Sequence, residues 1–438
     1  MDVAERRFVL TLSGAHAVSH VFRRLLPPLI PVWVLAFGYP LWKLGLLAGA
    51  FSLGSGLGQT PSGMLSDRYD RRYILPAGLA LVGACYAVFA LVPGLGLADV
   101  TIDVAGGTSL EFVLLLATVF VGGTGTSVLH PAGYPLLSEN VDPTRKGRAL
   151  GVFGSAAKFG DALAPAMVGA LLLVMAWPSV LVLIGSMGIV YAAALFVALG
   201  AYETRPKVLQ AEDDGEGEDG VDVWGGDRRL FVYPILAIFL FFSVRMIAAG
   251  GVNVFIPEFI TSVYGFSLSV LGVEVTAASV ASFYYSALLV TAGATQLWTG
   301  ALVDRFDHRK VLLAVLGTAT VLLVVLATTV LSPLLLFLVL VALGGSMWGL
   351  NPARDALISE ITPAEREGRT FGYLWTGALV IGSVSPVIVG YIGEVSGLQQ
   401  AFALLAVVTV LSAVPIALLL SPRVYRRRPE AGAAPGSD

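Results

Sequence analysis

Long apolar stretches dominate the chain and predict helices that cross a membrane. A helix needs about 20 apolar residues to span the hydrocarbon core of a bilayer. Stretches of that length without Asp, Glu, Lys or Arg lie at residues 44–66, 73–98, 162–202, 275–303, 311–353, 370–393 and 395–422. The third and fifth divide into two helices each, at Trp177-Pro178 and at Ser332-Pro333.

Four more segments carry isolated charges within an apolar pattern. They are residues 8–37, 111–138, 230–264 and 148–162, the last of which runs into the stretch that begins at residue 162. The sum is twelve helices. Composition agrees, because 56% of the 438 residues are hydrophobic and 13% are charged, about half the charged fraction of roughly 25% that is usual in soluble proteins.

Basic residues are distributed unequally between the two ends of the predicted spans. Most of the 27 lysines and arginines fall in segments on the side of the N-terminus, whereas the opposite side holds Lys43 alone. Basic residues are retained on the cytoplasmic side of membrane proteins. We therefore expect a multi-pass protein of the plasma membrane with both termini in the cytoplasm.

The sequence divides into two halves that resemble each other. QTPSGMLSDRYDRR at residues 59–72 aligns with QLWTGALVDRFDHR at 296–309, and a second block pairs residues 131–169 with 352–390. We expect a six-helix bundle at 1–202, an acidic Gly-rich cytoplasmic linker at 203–229, a second bundle at 230–425 and a cytoplasmic tail at 426–438. Twelve spans built as two six-span repeats are typical of a transporter.

The repeated loop carries a motif that resembles the signature of the major facilitator superfamily. It consists of Gly63, Leu65, Asp67, Arg68 and Arg72 in the first half and of Gly300, Leu302, Asp304, Arg305 and Arg309 in the second. The resemblance implies the major facilitator fold, an all-α membrane protein with two pseudo-symmetric six-helix bundles. It also implies that the first, fourth, seventh and tenth spans line a central cavity.

The fourth and fifth spans are similar to the fosmidomycin-resistance-like branch of that superfamily. The similarity lies in GGTGTSVLHPAGYPLLSE at residues 122–139 and in the segment that follows it. Members of this branch are viewed as drug/proton antiporters, and Gly160, Pro165 and Gly169 resemble an antiporter motif. The chain departs from the branch at Ala132 and in the basic residues of its first span.

Ionisable residues within the spans are the candidates for function, because each is costly to place in a bilayer. His16, His20, Arg23, Arg24 and Pro27 occupy one face of the first helix. The candidates for substrate binding are Arg23, Arg24, Arg245, His130 and Arg354, and those for proton coupling are His16, His20, Asp161 and Asp355. The alternative is that these groups only pair with neighbouring helices.

Two further sets of charges suggest an ion pair and a gate. Lys158 and Asp161 stand three residues apart and can neutralise each other. The expected cytoplasmic gate comprises the motif residues Gly63, Asp67, Arg68, Arg72, Gly300, Asp304, Arg305 and Arg309 together with Arg148 and Arg369. Within it, we expect Asp67 to pair near Arg369, and Asp304 near Arg148, when the cytoplasmic side closes.

The sequence favours a proton-coupled secondary transporter that exports a small organic or anionic compound by alternating access. The excess of bases over acids inside the spans favours an anion. The alternatives are a proton symporter that imports a carboxylate or inorganic anion, and a non-transporting sensor on the same fold. We expect no enzyme activity, cofactor, metal or nucleic-acid partner, and a monomer. Cys85 is the single cysteine, so no intrachain disulfide can form.

Overall fold

The structure is a computed structural model that describes residues 3–102, 107–206, 231–270, 273–303, 305–362 and 367–425. The side chains of 270, 273, 367–369 and 371 lie outside the description. Most of the expected linker at 203–229 and the whole tail at 426–438 also lie outside the described residues.

Six helical spans form the N-terminal half, and three of them are broken into two helices. The elements are α1 (Val3–Arg23) and α2 (Leu26–Phe37), α3 (Leu41–Leu57) and α4 (Gln59–Arg68), α5 (Arg71–Leu91), α6 (Leu110–Thr126) and α7 (Leu129–Asn140), α8 (Lys146–Leu171) and α9 (Trp177–Leu199).

The C-terminal half also has six helical spans, and two of them are broken into two helices. Its elements are α10 (Val232–Val263), α11 (Ala277–Val303), α12 (His308–Thr328), α13 (Pro333–Gly349) and α14 (Asn351–Ile361), α15 (Glu367–Gly382) and α16 (Ser385–Ser396), and α17 (Leu398–Leu418). Ten of the spans in the described residues are long and apolar enough to cross a membrane by composition alone. The other two are α3 with α4, and α8, which carries charges.

The two ends of the bundles carry different chain segments, and we name each face after the segments that it carries. One face, here called the terminal face, carries the start of α1 and the end of α17. The opposite face, here called the hairpin face, carries two antiparallel hairpins, β1 (Thr101–Ile102) with β2 (Thr108–Ser109) and β3 (Leu268–Val270) with β4 (Val273–Val275).

Matching close contacts in the two halves show the repeat in the packing. A Cβ placed on Gly123 of α6 would lie 2.1 Å from the carbonyl oxygen of Phe51 in α3, and one placed on Gly344 of α13 would lie 2.1 Å from that of Leu288 in α11. Both pairs occupy positions aligned by the sequence repeat. Such small residues let helix backbones approach closely inside a membrane, and the prediction of two pseudo-symmetric bundles is confirmed.

The bundles pack against each other on the hairpin-face side. There α3 meets α16, where a Cβ on Gly45 would lie 2.1 Å from the Pro386 carbonyl oxygen. Similarly, α8 meets α11, where a Cβ on Gly169 would lie 2.9 Å from the Cβ of Ser282. The backbone amide of Leu41 also donates to a carboxylate oxygen of Glu394 across this seam, at 2.8 Å.

Towards the terminal face the bundles separate. Apart from their own helix and chain neighbours, five glycines at this end of α8, α11 and α15 have no described atom within 4 Å of the position that a Cβ would occupy: Gly147, Gly151, Gly154, Gly300 and Gly372. Asp67 and Arg148 are exposed there. The conformation is therefore closed at the hairpin face and open at the terminal face.

Gly45→Val tests this arrangement, because its side chain collides with the backbone of α16 only while the seam is closed. We expect the variant to favour opening at the hairpin face. In a Cys85→Ser background, Ser52→Cys in the central cavity should react severalfold faster with an impermeant maleimide from that face. Gly94→Val, where the glycine has no described atom near its Cβ position, serves as the control, and unchanged labelling in Gly45→Val would contradict the assignment.

Candidate functional site

The first span breaks where the sequence places its arginine pair. α1 ends at Arg23 and α2 begins at Leu26, with Pro27 and Pro28 in its first turn. Proline lacks the amide hydrogen that would bond to the preceding turn. The break therefore sets Arg23 and Arg24 midway along the span, between two short helices.

Asp161 of α8 is buried and lies against this break. Its Oδ1 accepts from Arg24 Nε at 2.9 Å and from His20 Nδ1 at 3.0 Å. Lys158 Nζ stands 3.9 Å from Oδ2. The expected pairing of Lys158 with Asp161 is thus the longest of three contacts, because the first span brings two bases closer. Close approach of α8 to α1 permits this, since a Cβ on Gly160 would lie 2.2 Å from the Ala17 carbonyl oxygen.

Three histidines form a cluster beside this carboxylate. His16 is buried, bonds through Nδ1 to the carbonyl oxygen of Phe153 at 2.9 Å and stacks on its ring at 4.0 Å. The His16 ring lies 4.8 Å from that of His20 and 5.3 Å from that of His130. The Nε2 atoms of His16 and His20 are buried and have no hydrogen-bond partner among the described residues.

A nitrogen atom from each of these rings lies within 4.8 Å of the others, a spacing from which a metal site could be built. Zn²⁺ binds histidine at about 2.1 Å, so the rings would have to close together. Arg23 and Lys158 interact electrostatically with His130, and their charge opposes a divalent cation. We therefore keep the interpretation that the histidines handle protons.

A cavity lies between the bundles next to the helix break. It holds about 470 Å³ of space, part of it open to solvent, and its lining includes Arg23, Arg24, Ser52 and Asn253. The guanidinium of Arg23 makes no hydrogen bond within the described part of the chain. It is therefore available to an anion in the cavity.

A chain of hydrogen bonds crosses from this site to the C-terminal bundle. Arg24 Nη1 donates to the hydroxyl of Tyr285 at 3.4 Å, and that hydroxyl donates to Asn253 Oδ1 at 3.3 Å. Beside it, Ser286 Oγ donates to the carbonyl oxygen of Ala162 at 2.7 Å. The proton-binding candidates of one bundle are thus connected to neutral groups of the other.

The basic residues predicted in the C-terminal bundle have partners within that bundle. Arg245 is buried and donates to the carbonyl oxygen of Met347. Arg354 is buried, bonds through Nε to Asp355 Oδ1 at 2.8 Å and lies over the rings of Phe242 and Trp375. Of the five residues predicted to bind substrate, Arg23 and Arg24 line the cavity, and His130 joins the histidine cluster.

The repeated motif residues fall into two groups. Arg72 and Arg309 bind carbonyl oxygens of the last helix in their own bundle, Phe196 at 3.0 Å and Leu419 at 2.7 Å. Asp67, Arg68, Arg148 and Arg305 are exposed at the terminal face, Gly63 faces Pro131 and Gly300 faces open space. Asp304 and the side chain of Arg369 lie outside the described residues, so both proposed gate pairs stay predictions.

Several polar residues at the site and elsewhere in the spans are not among the residues predicted from the sequence. Tyr285 and Asn253 are neutral, so a search for charges passes over them. Glu258 of α10 is buried and was not counted among the acids of its span. At the terminal face, Arg71 pairs with Glu139 at 2.7 Å and His308 with Glu360 at 2.9 Å, and the sequence repeat aligns these two pairs.

Two six-helix bundles around a charged cavity define a membrane transporter. The chain belongs to the Major Facilitator Superfamily, whose family profile matches residues 12–289 and 274–437. The fold is similar to that of a solved bacterial homologue of the human lysosomal transporter Spinster, with a TM-score of 0.76 at 16% identity, covering 98% of this chain and 100% of that one. For the xylose transporter XylE from E. coli, the TM-score is 0.71 at 14% identity, with 98% of each chain covered.

Three relatives agree with this family. The Fosmidomycin resistance protein of Escherichia coli is 27% identical over 165 residues, 37% of this chain and 36% of that protein. An MFS-type efflux pump of Mycolicibacterium smegmatis is 27% identical over 305 residues, 67% and 66% of the two chains. A "Probable L-galactonate transporter" of Escherichia coli is 28% identical over 165 residues, 38% and 31% of the two chains. The resemblance to the fosmidomycin-resistance branch is confirmed. The chain matches about a third of the length of two of these relatives and about two thirds of the length of the efflux pump.

Asp161→Asn should destabilise the protein, because it leaves the partly buried Arg24 without its counter-ion. Removing one partner of a buried pair costs about 3–5 kcal/mol, and we expect a value near 3 kcal/mol because Arg24 retains some exposure (19%). Thermal unfolding in detergent measures the loss. Lys158→Met is the control and should melt close to the wild type, whereas Arg24→Met with Asp161→Asn should lose less than the sum of the single changes. Wild-type melting of Asp161→Asn would contradict the pairing.

Proposed function

We propose that this transporter carries small anionic compounds together with protons. The observation that supports the proposal is the double position of Arg24, which lines the central cavity and also holds the buried carboxylate of Asp161. Arg23 and Arg24 bind the anion, while Asp161 and His20 exchange the proton. His16 and His130 extend the proton path from His20, and Asp355 is a second proton site next to Arg354.

The geometry favours symport of the proton and the anion over the proton-coupled export, an antiport, that the sequence favours. An anion in the cavity competes with Asp161 for Arg24, and protonation of Asp161 ends that competition. Four other groups also face Asp161: His20, Lys158, Arg23 and Tyr285. None of them changes the direction of this coupling between proton and anion, because the anion and the charged carboxylate repel each other. Proton and anion therefore bind cooperatively, and this coupling is reciprocal. Antiport requires the two ligands to exclude each other.

The names of the relatives support each alternative in part. The "Probable L-galactonate transporter" fits a carboxylate substrate. The MFS-type efflux pump and the Fosmidomycin resistance protein fit export, which stays the second candidate. Import of a carboxylate or inorganic anion is our first choice because of the linkage at Arg24.

The transport cycle alternates between openings at the two faces. Basic residues concentrate at the terminal face, so we assign this face to the cytoplasm and the protein to the plasma membrane. The conformation described here then has its cavity open to the inside. Substrate and proton stabilise whichever packing of the bundles they bind more tightly.

Anion binding should strengthen as the pH falls. An anion that binds Arg24 withdraws it from Asp161, and the carboxylate left behind takes up a proton, so one linked proton changes the affinity by up to about tenfold per pH unit. Equilibrium binding of gluconate, lactate and phosphate to purified protein between pH 5 and 8 measures this change of affinity with pH. Histidine side chains also titrate in roughly this range of pH. For gluconate and lactate, whose own charge is constant over this range, Asp161→Asn should lose most of the pH dependence, Arg23→Ala should bind weakly, and Lys310→Ala is the control. Tighter binding at high pH would overturn symport.

Proteoliposomes distinguish the two directions. With an acidic exterior, symport drives anion uptake, whereas antiport drives efflux from preloaded vesicles. Transport of cations and neutral solutes alone would refute an anion carrier.

Asp67→Asn should slow turnover and leave binding intact. Asp67 is exposed while the terminal face is open, and its charge is expected to be used when that face closes. Uptake into proteoliposomes and equilibrium binding, measured side by side, test this. A wild-type turnover rate would exclude the gate, and Lys310→Ala again serves as the control.

A further inference from the structure

Asn253 presents a hydrogen-bond donor from the C-terminal bundle to the cavity. It lies on α10, is partly exposed and lines the same cavity as Arg23 and Arg24. Its Oδ1 accepts from the Tyr285 hydroxyl at 3.3 Å. Its Nδ2 has no hydrogen-bond partner among the residues that the structure describes.

Tyr285 fixes which end of the amide faces the cavity. The guanidinium of Arg24 can only donate, so the Tyr285 hydroxyl accepts from it and keeps its own hydrogen for another partner. That hydrogen goes to the Asn253 carbonyl oxygen. The amino group of Asn253, with its two N–H donors, is thereby directed away from Tyr285.

We infer that Asn253 is a substrate-binding residue that recognises an oxygen acceptor on the substrate other than its charged group, and that Tyr285 positions it. The substrate class is then a small carboxylate bearing hydroxyl or oxo groups. This inference rests on the proposed function, because it takes the carboxylate to bind at Arg23 and Arg24. Such a ligand contacts both bundles at once, through arginines on one and an amide on the other.

An unsubstituted carboxylate satisfies the arginines and leaves the amide donors without a partner. A site built to hydrogen-bond a substrate oxygen discriminates strongly against an analogue that lacks it. Because the Asn253 side chain is neutral and partly open to water, we expect a preference of about tenfold to a hundredfold. Substituting Asn253 should remove the preference and leave the affinity for the plain carboxylate unchanged.

The experiment compares carboxylates of equal chain length that differ in their oxygen substituents. Binding of propionate against lactate, and of hexanoate against gluconate, is measured by calorimetry on the purified full-length protein in nanodiscs. The wild type should prefer the hydroxylated member in at least one pair. Asn253→Leu should bind both members equally, with the affinity for the plain acid retained.

Tyr285→Phe provides a second variant that keeps the ring and removes only the hydroxyl. It should reduce the preference severalfold, whereas any effect through Arg24 changes the affinity for both members of a pair equally, a pattern that general destabilisation would not produce. Tyr284→Phe is the matched control, because its hydroxyl donates to the Pro333 carbonyl oxygen at 3.3 Å within the same bundle.

The outcomes separate this inference from the proposal beneath it. If plain carboxylates bind in an Arg23-dependent manner but without a preference, or if the preference survives in both variants, Asn253 has no recognition role and the anion site stands. If no carboxylate or phosphate binds at all, the anion function fails and this inference fails with it.

Discussion

A single buried carboxylate surrounded by bases is the constraint on which this structure depends. Asp161 is buried beside Arg24, His20 and Lys158, and an unpaired ion in a low-dielectric interior is strongly unfavourable. The pair with Arg24 offsets that penalty and holds α8 against the broken first span. Asp161 carries one negative charge and cannot balance the three permanent positive charges of Arg23, Arg24 and Lys158. Arg23 therefore forms no ion pair with it within 4 Å. The remaining positive charge of Arg23 faces the cavity, and this is the charge that the proposed anion would balance.

The backbone places these charges through two sequence features that contain no charge. Pro27 and Pro28 end the helix before α2, so the arginine pair occupies a turn rather than a continuous helical face. Gly160 brings α8 so close to α1 that a Cβ there would meet the Ala17 carbonyl. A longer side chain at Gly160 would move Asp161 away from Arg24. The ion pair and the helix packing therefore depend on each other, because the close approach at Gly160 brings Asp161 to Arg24 and the pair in turn holds the two helices together.

The spans, the repeat and the charged face of the first helix could be predicted from the sequence, because each leaves a periodic or duplicated pattern. The partners of individual charges could not. Lys158 was expected to satisfy Asp161 from three residues away, but Arg24 and His20 reach it more closely from another helix. Arg245 donates a hydrogen bond to a backbone carbonyl oxygen and does not line the cavity. Tyr285, neutral and distant in sequence, is connected to the site only by the packing of the bundles.

The division of charge between the bundles also bears on how they move. Each ion pair observed among the described residues joins residues of one bundle, so it can persist while the bundles rock. Across the hairpin-face seam, the named polar contacts are hydrogen bonds such as Arg24 to Tyr285 and Ser286 to Ala162, each worth about 0.5–1.5 kcal/mol net, or about 1.5–3 kcal/mol where one partner is charged. Opening this seam therefore exchanges a few weak bonds for water and need not expose a bare buried charge. A ligand that contacts both bundles can form hydrogen bonds with them of a strength comparable to those that the seam loses. Alternating access requires two conformations that lie close in free energy, and a seam without ion pairs among the described residues suits that requirement.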